Sequence, residues 1–357
     1  MNRVSNIAVI CNYKLLPERI GGMDYFFWLF DKKCKENGIE VDWFFPNMGS
    51  HGHYGKLNII ASGNHPEVFF IKEIEQNNKQ YSHVMMHFVE LCTKSSKRIK
   101  ELTHAKIIAV DHNPRPLAGY PFKKKLEKKV KGLLYSRYTD VFVAVSEQTR
   151  KDLIFDFGRF ITSKSIIIFN GLNPENFRKK TDFNYKGKFI TASHLRESKG
   201  IQDLISAVAN LPEKPDFKID IYGAGPYEQQ LREMVDQLSV NAFFDFRGSV
   251  SNLHEIYADY DYLIHPSHAE TFCYTVVESL MSNLPVITTI GQGNVLNLVE
   301  ADVNGFLYNP GDTAGLEMIL SDIVLQRKSI KNGLAKNPRT NALTLDFMVE
   351  NYVKLLS

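Results

Sequence analysis

Short runs of β-branched and aromatic residues recur along the first half of the chain: NIAVI at 6–10, VDWFF at 41–45, HVMMHF at 83–88, KIIAV at 106–110, VFVAV at 141–145 and SIIIF at 165–169. Longer stretches of helical spacing separate them, which predicts an α/β fold of parallel sheets with crossover helices. A second series keeps the same rhythm, with FITAS at 189–193, FKIDIYG at 217–223, FFDFRG at 243–248, YLIHPS at 262–267 and PVITT at 285–289. Between the series, residues 170–188 (NGLNPENFRKKTDFNYKGK) are polar, turn-rich and nearly without aliphatic side chains. A domain junction is expected there, giving one α/β domain over 1–170 and another over 171–340. In the closing segment Leu345, Met348, Val349, Tyr352 and Leu356 fall at near-helical spacing, so a helix within 341–357 should bury one face.

A chain of 357 residues exceeds what one core usually organises, in keeping with two domains. Its 44% hydrophobic and 23% charged residues are those of a folded protein. The net charge of +3 is too small to imply a nucleic-acid partner. The four cysteines (Cys11, Cys34, Cys92, Cys273) form no C-x-x-C pair and suggest neither zinc nor a disulfide framework, so a reducing cytoplasm fits best. The first apolar run reads as a strand rather than a leader, and no stretch approaches the ~20 apolar residues of a membrane span. Any membrane contact is then peripheral, from the cytoplasmic side.

Open parallel sheets bind ligands at the carboxyl ends of their strands, and two such sheets facing one another would make a cleft. The most informative stretch is HPSHAETFCYTVVESLMSNLPVI, 265–287. It should end a buried strand and begin a helix, with the backbone N–H groups of Thr271, Phe272 and Cys273 favouring an anion. Glu270 and Glu278 bracket seven residues, placing one carboxylate just before the helix and the other about two turns inside. Since a carboxylate accepts two hydroxyl hydrogen bonds, Glu278 suits a ribose diol and Glu270 the hydroxyls of a sugar. Gly21 and Gly22 follow the first strand and its polar loop, where backbone amides can approach donor phosphates or an acceptor. His112, in HNPRP, ends KIIAVD and projects from a strand end, while His87 is either a buried strand histidine or an acceptor contact. His51 and His53 lack a third ligand and make no metal site.

The Glu-x7-Glu pattern resembles that of glycosyltransferase family 4, group 1. The resemblance continues in register through GGMDYFFWLF, VAVSEQTRKDL, IIIFNGLNPENF, LRESKG, IYGAGPYEQQL and NGFLYNPGD, from Gly21 to about Pro310. It implies a GT-B fold of two Rossmann-like domains, an N-terminal acceptor domain and a C-terminal donor domain, with the last helix crossing back to the first. The implied reaction is retaining, metal-independent transfer from a nucleotide-diphosphate sugar, which is a substrate and not a cofactor. The implied catalytic residues are Lys199, against the donor pyrophosphate, with Glu270 and His112. Gly225, in YGAGP, and Val250, after FRGS, would lie beside the nucleotide. The family's usual arginine five residues before the lysine is His194 here, and Arg196 is its candidate replacement. Asp259 and Asp261 imitate a D-x-D metal motif but fall in a helix-to-strand connection, where a structural role is expected. Acceptors in keeping with the family are carbohydrates or lipid-linked glycans of bacterial-type polysaccharide or glycoconjugate synthesis. A nucleotide-sugar epimerase and a non-enzymatic sugar-nucleotide sensor are the alternatives.

One segment stands apart. FKKKLEKKVKGLLYSRY, 122–138, spaces Phe122, Leu126, Val130, Leu133 and Leu134 on a helix carrying Lys123, Lys124, Lys125, Lys128, Lys129 and Lys131. Its apolar stripe either packs on the domain or docks on anionic lipid headgroups.

Overall fold

The computed structural model describes residues 5–17, 20–116, 119–333 and 342–357; the domain ends expected at 1–4 and 334–341 lie outside them. The chain forms two compact units, Met1–Gly171 with Ala342–Ser357, and Leu172–Asn341.

In the first unit the elements are β1 (Ser5–Cys11), α1 (Gly22–Glu36), β2 (Ile39–Phe45), β3 (Asn58–Ala61), α2 (Pro66–Asn77), β4 (His83–His87) and α3 (Lys94–Thr103). They continue with β5 (Lys106–Asp111), α4 (Phe122–Tyr135), β6 (Val141–Ala144), α5 (Glu147–Phe157) and β7 (Ser165–Ile167). The strands form one parallel sheet of order β3-β2-β1-β4-β5-β6-β7. Central strands are buried on both faces and read as unbroken apolar runs. The edge strand β3 is short, half exposed and set between polar stretches, so no run marks it in the sequence.

The second unit contains β8 (Lys188–Ala192), α6 (Ile201–Asn210), β9 (Lys218–Tyr222), α7 (Glu228–Gln237), β10 (Phe244–Gly248), α8 (Leu253–Ile256) and β11 (Tyr262–His265). It ends with α9 (Tyr274–Met281), β12 (Val286–Thr289), β13 (Gly305–Tyr308) and α10 (Thr313–Val324). Its parallel sheet runs β10-β9-β8-β11-β12-β13. The edge strand β13 is buried but short and set between polar stretches, so no run marks it in the sequence.

The last helix, α11 (Leu345–Lys354), belongs to the first unit and buries Met348, Val349 and Tyr352. The Tyr352 ring centre lies 4.9 Å from that of Phe26 on α1. A Cβ at Gly171 would sit 2.2 Å from the Thr344 carbonyl oxygen, so the outgoing and returning chain pass backbone to backbone.

The α4 stripe is not packed away. Gly132 is the residue α4 buries, its bare Cα resting against the Phe157 backbone of α5. Phe122 is 82% exposed and Leu133 69%, with Leu126, Val130 and Leu134 also exposed. Phe155 extends this apolar surface, its ring 5.0 Å from the Lys129 ammonium.

Candidate functional site

Both sheets reverse their winding once, between β1 and β4 and between β8 and β11. The carboxyl ends of strands at such a switch point leave room for a ligand.

In the second unit, β11 ends at His265 and the chain turns back through Pro266–Thr271 before α9. A Cβ at Gly200 would sit 2.0 Å from the Pro266 carbonyl oxygen, and Gly200 has φ +69°, so only glycine fits there. The His268 amide donates to the Ser198 carbonyl at 2.9 Å. These contacts lock the turn carrying Lys199 onto the loop carrying Glu270.

Lys199 Nζ consequently lies 2.5 Å from Glu270 Oε1, with both side chains about nine-tenths buried. The same oxygen lies 2.9 Å from Nε2 of His265, itself 2% exposed. Burial works to raise the Glu270 pKa, but the Lys199 charge and the His265 hydrogen bond outweigh it and bring the carboxyl down to about 2. Glu270 is thus a fixed anion, its Oε1 committed to protein donors.

The approach to α9 differs from the sequence expectation. The helix begins at Tyr274, so Glu278 is its fifth residue, one turn inside rather than two. Thr271, Phe272 and Cys273 precede it, and Cys273 caps it with φ +65°, a left-handed conformation rare for a residue with a side chain. Its Sγ lies 3.2 Å from His265 Nε2. Glu278 accepts a 2.9 Å hydrogen bond from Tyr257; burial raises its pKa, against that bond. His265, Glu270 and Cys273 offer three metal-ligating atoms within 4.8 Å of one another. Lys199 Nζ and His265 Nε2 both meet Glu270 Oε1.

The remaining positions of this unit divide. Arg196 and His194 are exposed on the loop after β8. The bare Cα of Gly225 is occupied by the protein itself: a Cβ there would meet the Leu195 carbonyl oxygen at 2.3 Å. Gly223 is tighter still against Ser193, at 1.8 Å and φ +122°. These glycines therefore let the loops after β8 and β9 touch. Val250 is exposed beyond β10. Asp261 accepts from the Lys186 and Lys188 amides at 2.9 and 3.0 Å, while Asp259 pairs with Arg178 at 2.5 Å, so the two carboxylates have separate partners.

In the first unit, Gly21 caps α1 and Gly22 opens it; the Gly21 amide donates to Asp24 at 2.9 Å. Asp24 is buried and also accepts from Tyr13 and Tyr54, at 3.0 and 2.6 Å. Among the described residues, no atom beyond its chain neighbours lies within 4 Å of a Cβ built at Gly21. At the ends of β4 and β5, His87 Nδ1 and His112 Nε2 are 3.0 Å apart. His87 is fully buried. Beside them is an open depression lined in part by Glu90, Asp111, Asn113, Arg115, Lys124 and Lys128. Arg115 bridges Asp111 and Asp156 at 2.8 and 2.9 Å.

His265, Tyr257 and Arg115 were not singled out from sequence. A histidine inside an apolar strand and a tyrosine in a helix read as core, and only HNPRP marked the Arg115 loop.

Residues 173–340 match the family model described as glycosyl transferases group 1. The UDP-N-acetylglucosamine–peptide N-acetylglucosaminyltransferase GtfA subunit of Streptococcus agalactiae is 28% identical over 172 residues, 47% of this chain and 34% of that protein. The N-acetyl-alpha-D-glucosaminyl L-malate synthase of Bacillus anthracis is 21% identical over 306 residues, 75% of this chain and 79% of that one. The matched stretches span 34% and 53% of the first two curated relatives. Anabaena HepE, solved in complex with UDP and glucose, has a TM-score of 0.75 and 18% identity over 99% of both chains. That likeness is one of fold, the two-unit α/β architecture called GT-B.

Proposed function

We propose that this chain, whose residues 173–340 match the model of the group 1 glycosyl transferases, transfers a sugar from a nucleotide-diphosphate donor to an acceptor hydroxyl. The observation that carries this is the buried Lys199–Glu270–His265 cluster at the switch point of the second sheet. A fixed cation beside the N-terminus of α9 offers charge where a departing diphosphate gains it, which lowers the barrier selectively. Glu270, held ionised with Oε1 occupied, accepts sugar hydroxyls through its other oxygen. Glu278 accepts from the ribose, and Thr271, Phe272 and Cys273 present backbone to the donor. Arg196 extends from the neighbouring loop toward solvent and supplies a second positive charge for the diphosphate.

Lys199 serves as the counter-charge to the diphosphate, so the reaction is metal-independent. The family resemblance implies retention, and with no side chain among the described residues placed as a covalent nucleophile, transfer proceeds by internal return, the leaving phosphate taking the acceptor proton. The first unit, with Gly21, Gly22, His112 and the depression beside Arg115, receives a carbohydrate or lipid-linked glycan acceptor in polysaccharide or glycoconjugate synthesis. The exposed α4 stripe with its lysines suits an anionic membrane surface on the cytoplasmic side. UDP-sugars come first as donors, because the names of the Streptococcus relative and the HepE complex carry UDP.

Incubation of the full chain with UDP-, GDP- and ADP-sugars and a panel of glycan acceptors tests this. Acceptor-dependent release of nucleoside diphosphate, with the donor's anomeric configuration kept in the product, is expected. Conversion of donor alone into an epimeric sugar would assign the site to an epimerase, and binding without turnover to a sensor.

A further inference from the structure

An imidazole, a carboxylate and a thiol converge at the end of β11. Nε2 of His265 lies 2.9 Å from Glu270 Oε1 and 3.2 Å from Cys273 Sγ, and one ligating atom from each of the three residues falls within 4.8 Å of the others. A tetrahedral metal with bonds of ~2.0–2.3 Å holds its ligand atoms roughly 3.3–3.6 Å apart. The two histidine contacts therefore need only to open slightly, while the carboxylate and the sulfur draw together. No C-x-x-C spacing announces this set. His265 ends its strand inside the sheet, and Cys273 is held before α9 with φ +65°, so the turn between them brings the atoms together. One nitrogen, one oxygen and one sulfur suit zinc, whereas magnesium and calcium take shells of oxygen.

We propose that His265, Glu270 and Cys273 form an inhibitory site for zinc or a zinc-like divalent cation, which competes with the Lys199 ammonium for Glu270. The inhibitory half rests on the reading of this cluster as the donor site. On binding, a sulfur–metal bond forms and the Cys273 thiol proton leaves to solvent, with no change of oxidation state. His265 coordinates through the Nε2 lone pair of its neutral ring, and Glu270 exchanges its hydrogen bonds for a metal bond. Lys199 Nζ lies 2.5 Å from that carboxylate oxygen, so a like charge beside the dication weakens its binding. Either the lysine or the metal neutralises Glu270. With the metal in place, Glu270 no longer accepts sugar hydroxyls and Lys199 no longer stands where the diphosphate needs it, so transfer stops.

Cobalt(II) titration of the full wild-type chain, followed by absorbance, tests the site without turnover. A thiolate-to-cobalt charge-transfer band is expected, bleached by zinc and left alone by magnesium. Cys11, Cys34 and Cys92 are buried in the first unit and serve as internal controls. No such band in the wild type, or a band of full strength in Cys273→Ser, overturns the proposal. Lys199→Met tests the competition independently of how Cys273→Ser folds: cobalt should bind at least about tenfold more tightly, and unchanged or weaker binding overturns it. In the transfer assay zinc should inhibit the wild type competitively with donor, a chelator should reverse this, and Cys273→Ser should lose the sensitivity. Full wild-type turnover with the metal bound overturns the inhibitory role. Should the chain transfer no sugar to any acceptor, the donor-site reading fails while the cobalt spectrum still decides the metal site.

Discussion

Lys199 and Glu270, 71 residues apart in the chain, meet at 2.5 Å within the second unit, and the meeting is built by glycine. Gly200 lets the Lys199 turn rest on the Pro266 carbonyl, and the His268 amide closes the contact. The pair is an arrangement of two loops at neighbouring strand ends, not a surface ion pair. Both charges are largely out of water, so each depends on the other.

Removing Lys199 should therefore cost more than removing the pair. Lys199→Met leaves a buried carboxylate with only His265 and should destabilise the protein by about 3–5 kcal/mol. Lys199→Met with Glu270→Leu should recover most of that, as read by urea unfolding. In the wild type the Glu270 contribution is fully present above pH 4.5 and lost as pH falls toward about 2, because the folded carboxyl holds on to its charge. That loss should be smaller in Lys199→Met.

Gly200→Ala should damage the site through the backbone. Its Cβ would press on the Pro266 carbonyl in a left-handed conformation, so either the turn shifts or the unit loses on the order of 2 kcal/mol. Calorimetry should show a lower midpoint, and donor affinity should fall with it. An unchanged midpoint together with unchanged affinity would mean that the two loops are not locked.

The central strands were legible because burial on both faces leaves an unbroken apolar run, as in VFVAV and YLIHPS. β3 and β13 were not, since NIIA and GFLY are short edges whose polar flanks hide them. Glu270, Glu278 and Lys199 stood out by chemistry and by family pattern, yet their meeting depends on Gly200 and Pro266, which periodicity does not reveal. Helical spacing likewise found the α4 stripe without telling whether anything covers it. The left-handed Cys273 moved the start of α9, because a backbone angle of that kind leaves no mark in composition.

Acid should weaken the first unit through its histidine pair. His87 and His112 are held below the ordinary imidazole value of 6.5, so the unfolded chain binds protons that the folded one refuses. Stability from this source is complete above about pH 6.5 and falls as pH drops toward about 3, by up to about 1.4 kcal/mol per pH unit for each ring. His87→Phe should flatten the dependence of unfolding free energy on pH in this window.

The α4 surface should carry the protein to anionic vesicles. Sedimentation with phosphatidylserine-containing liposomes at low salt should pellet the wild type, with less pelleted near 1 M salt, where the Debye length is ~3 Å. Replacing Phe122, Leu126 and Leu133 with serine, or Lys123, Lys125 and Lys129 with glutamine, should each reduce binding. Equal, negligible binding to anionic and neutral vesicles would leave α4 a solvated face.

Thermal unfolding of the full chain against a panel of nucleoside diphosphates and their sugars, in the presence of a chelator, tests the donor site most directly. At least one ligand should raise stability by about 2.7 kcal/mol at a hundredfold excess over its Kd, and the rise should vanish in Lys199→Ala. No shift with any nucleotide, or a full shift in Lys199→Ala, would contradict a nucleotide-sugar site built on Lys199 and Glu270.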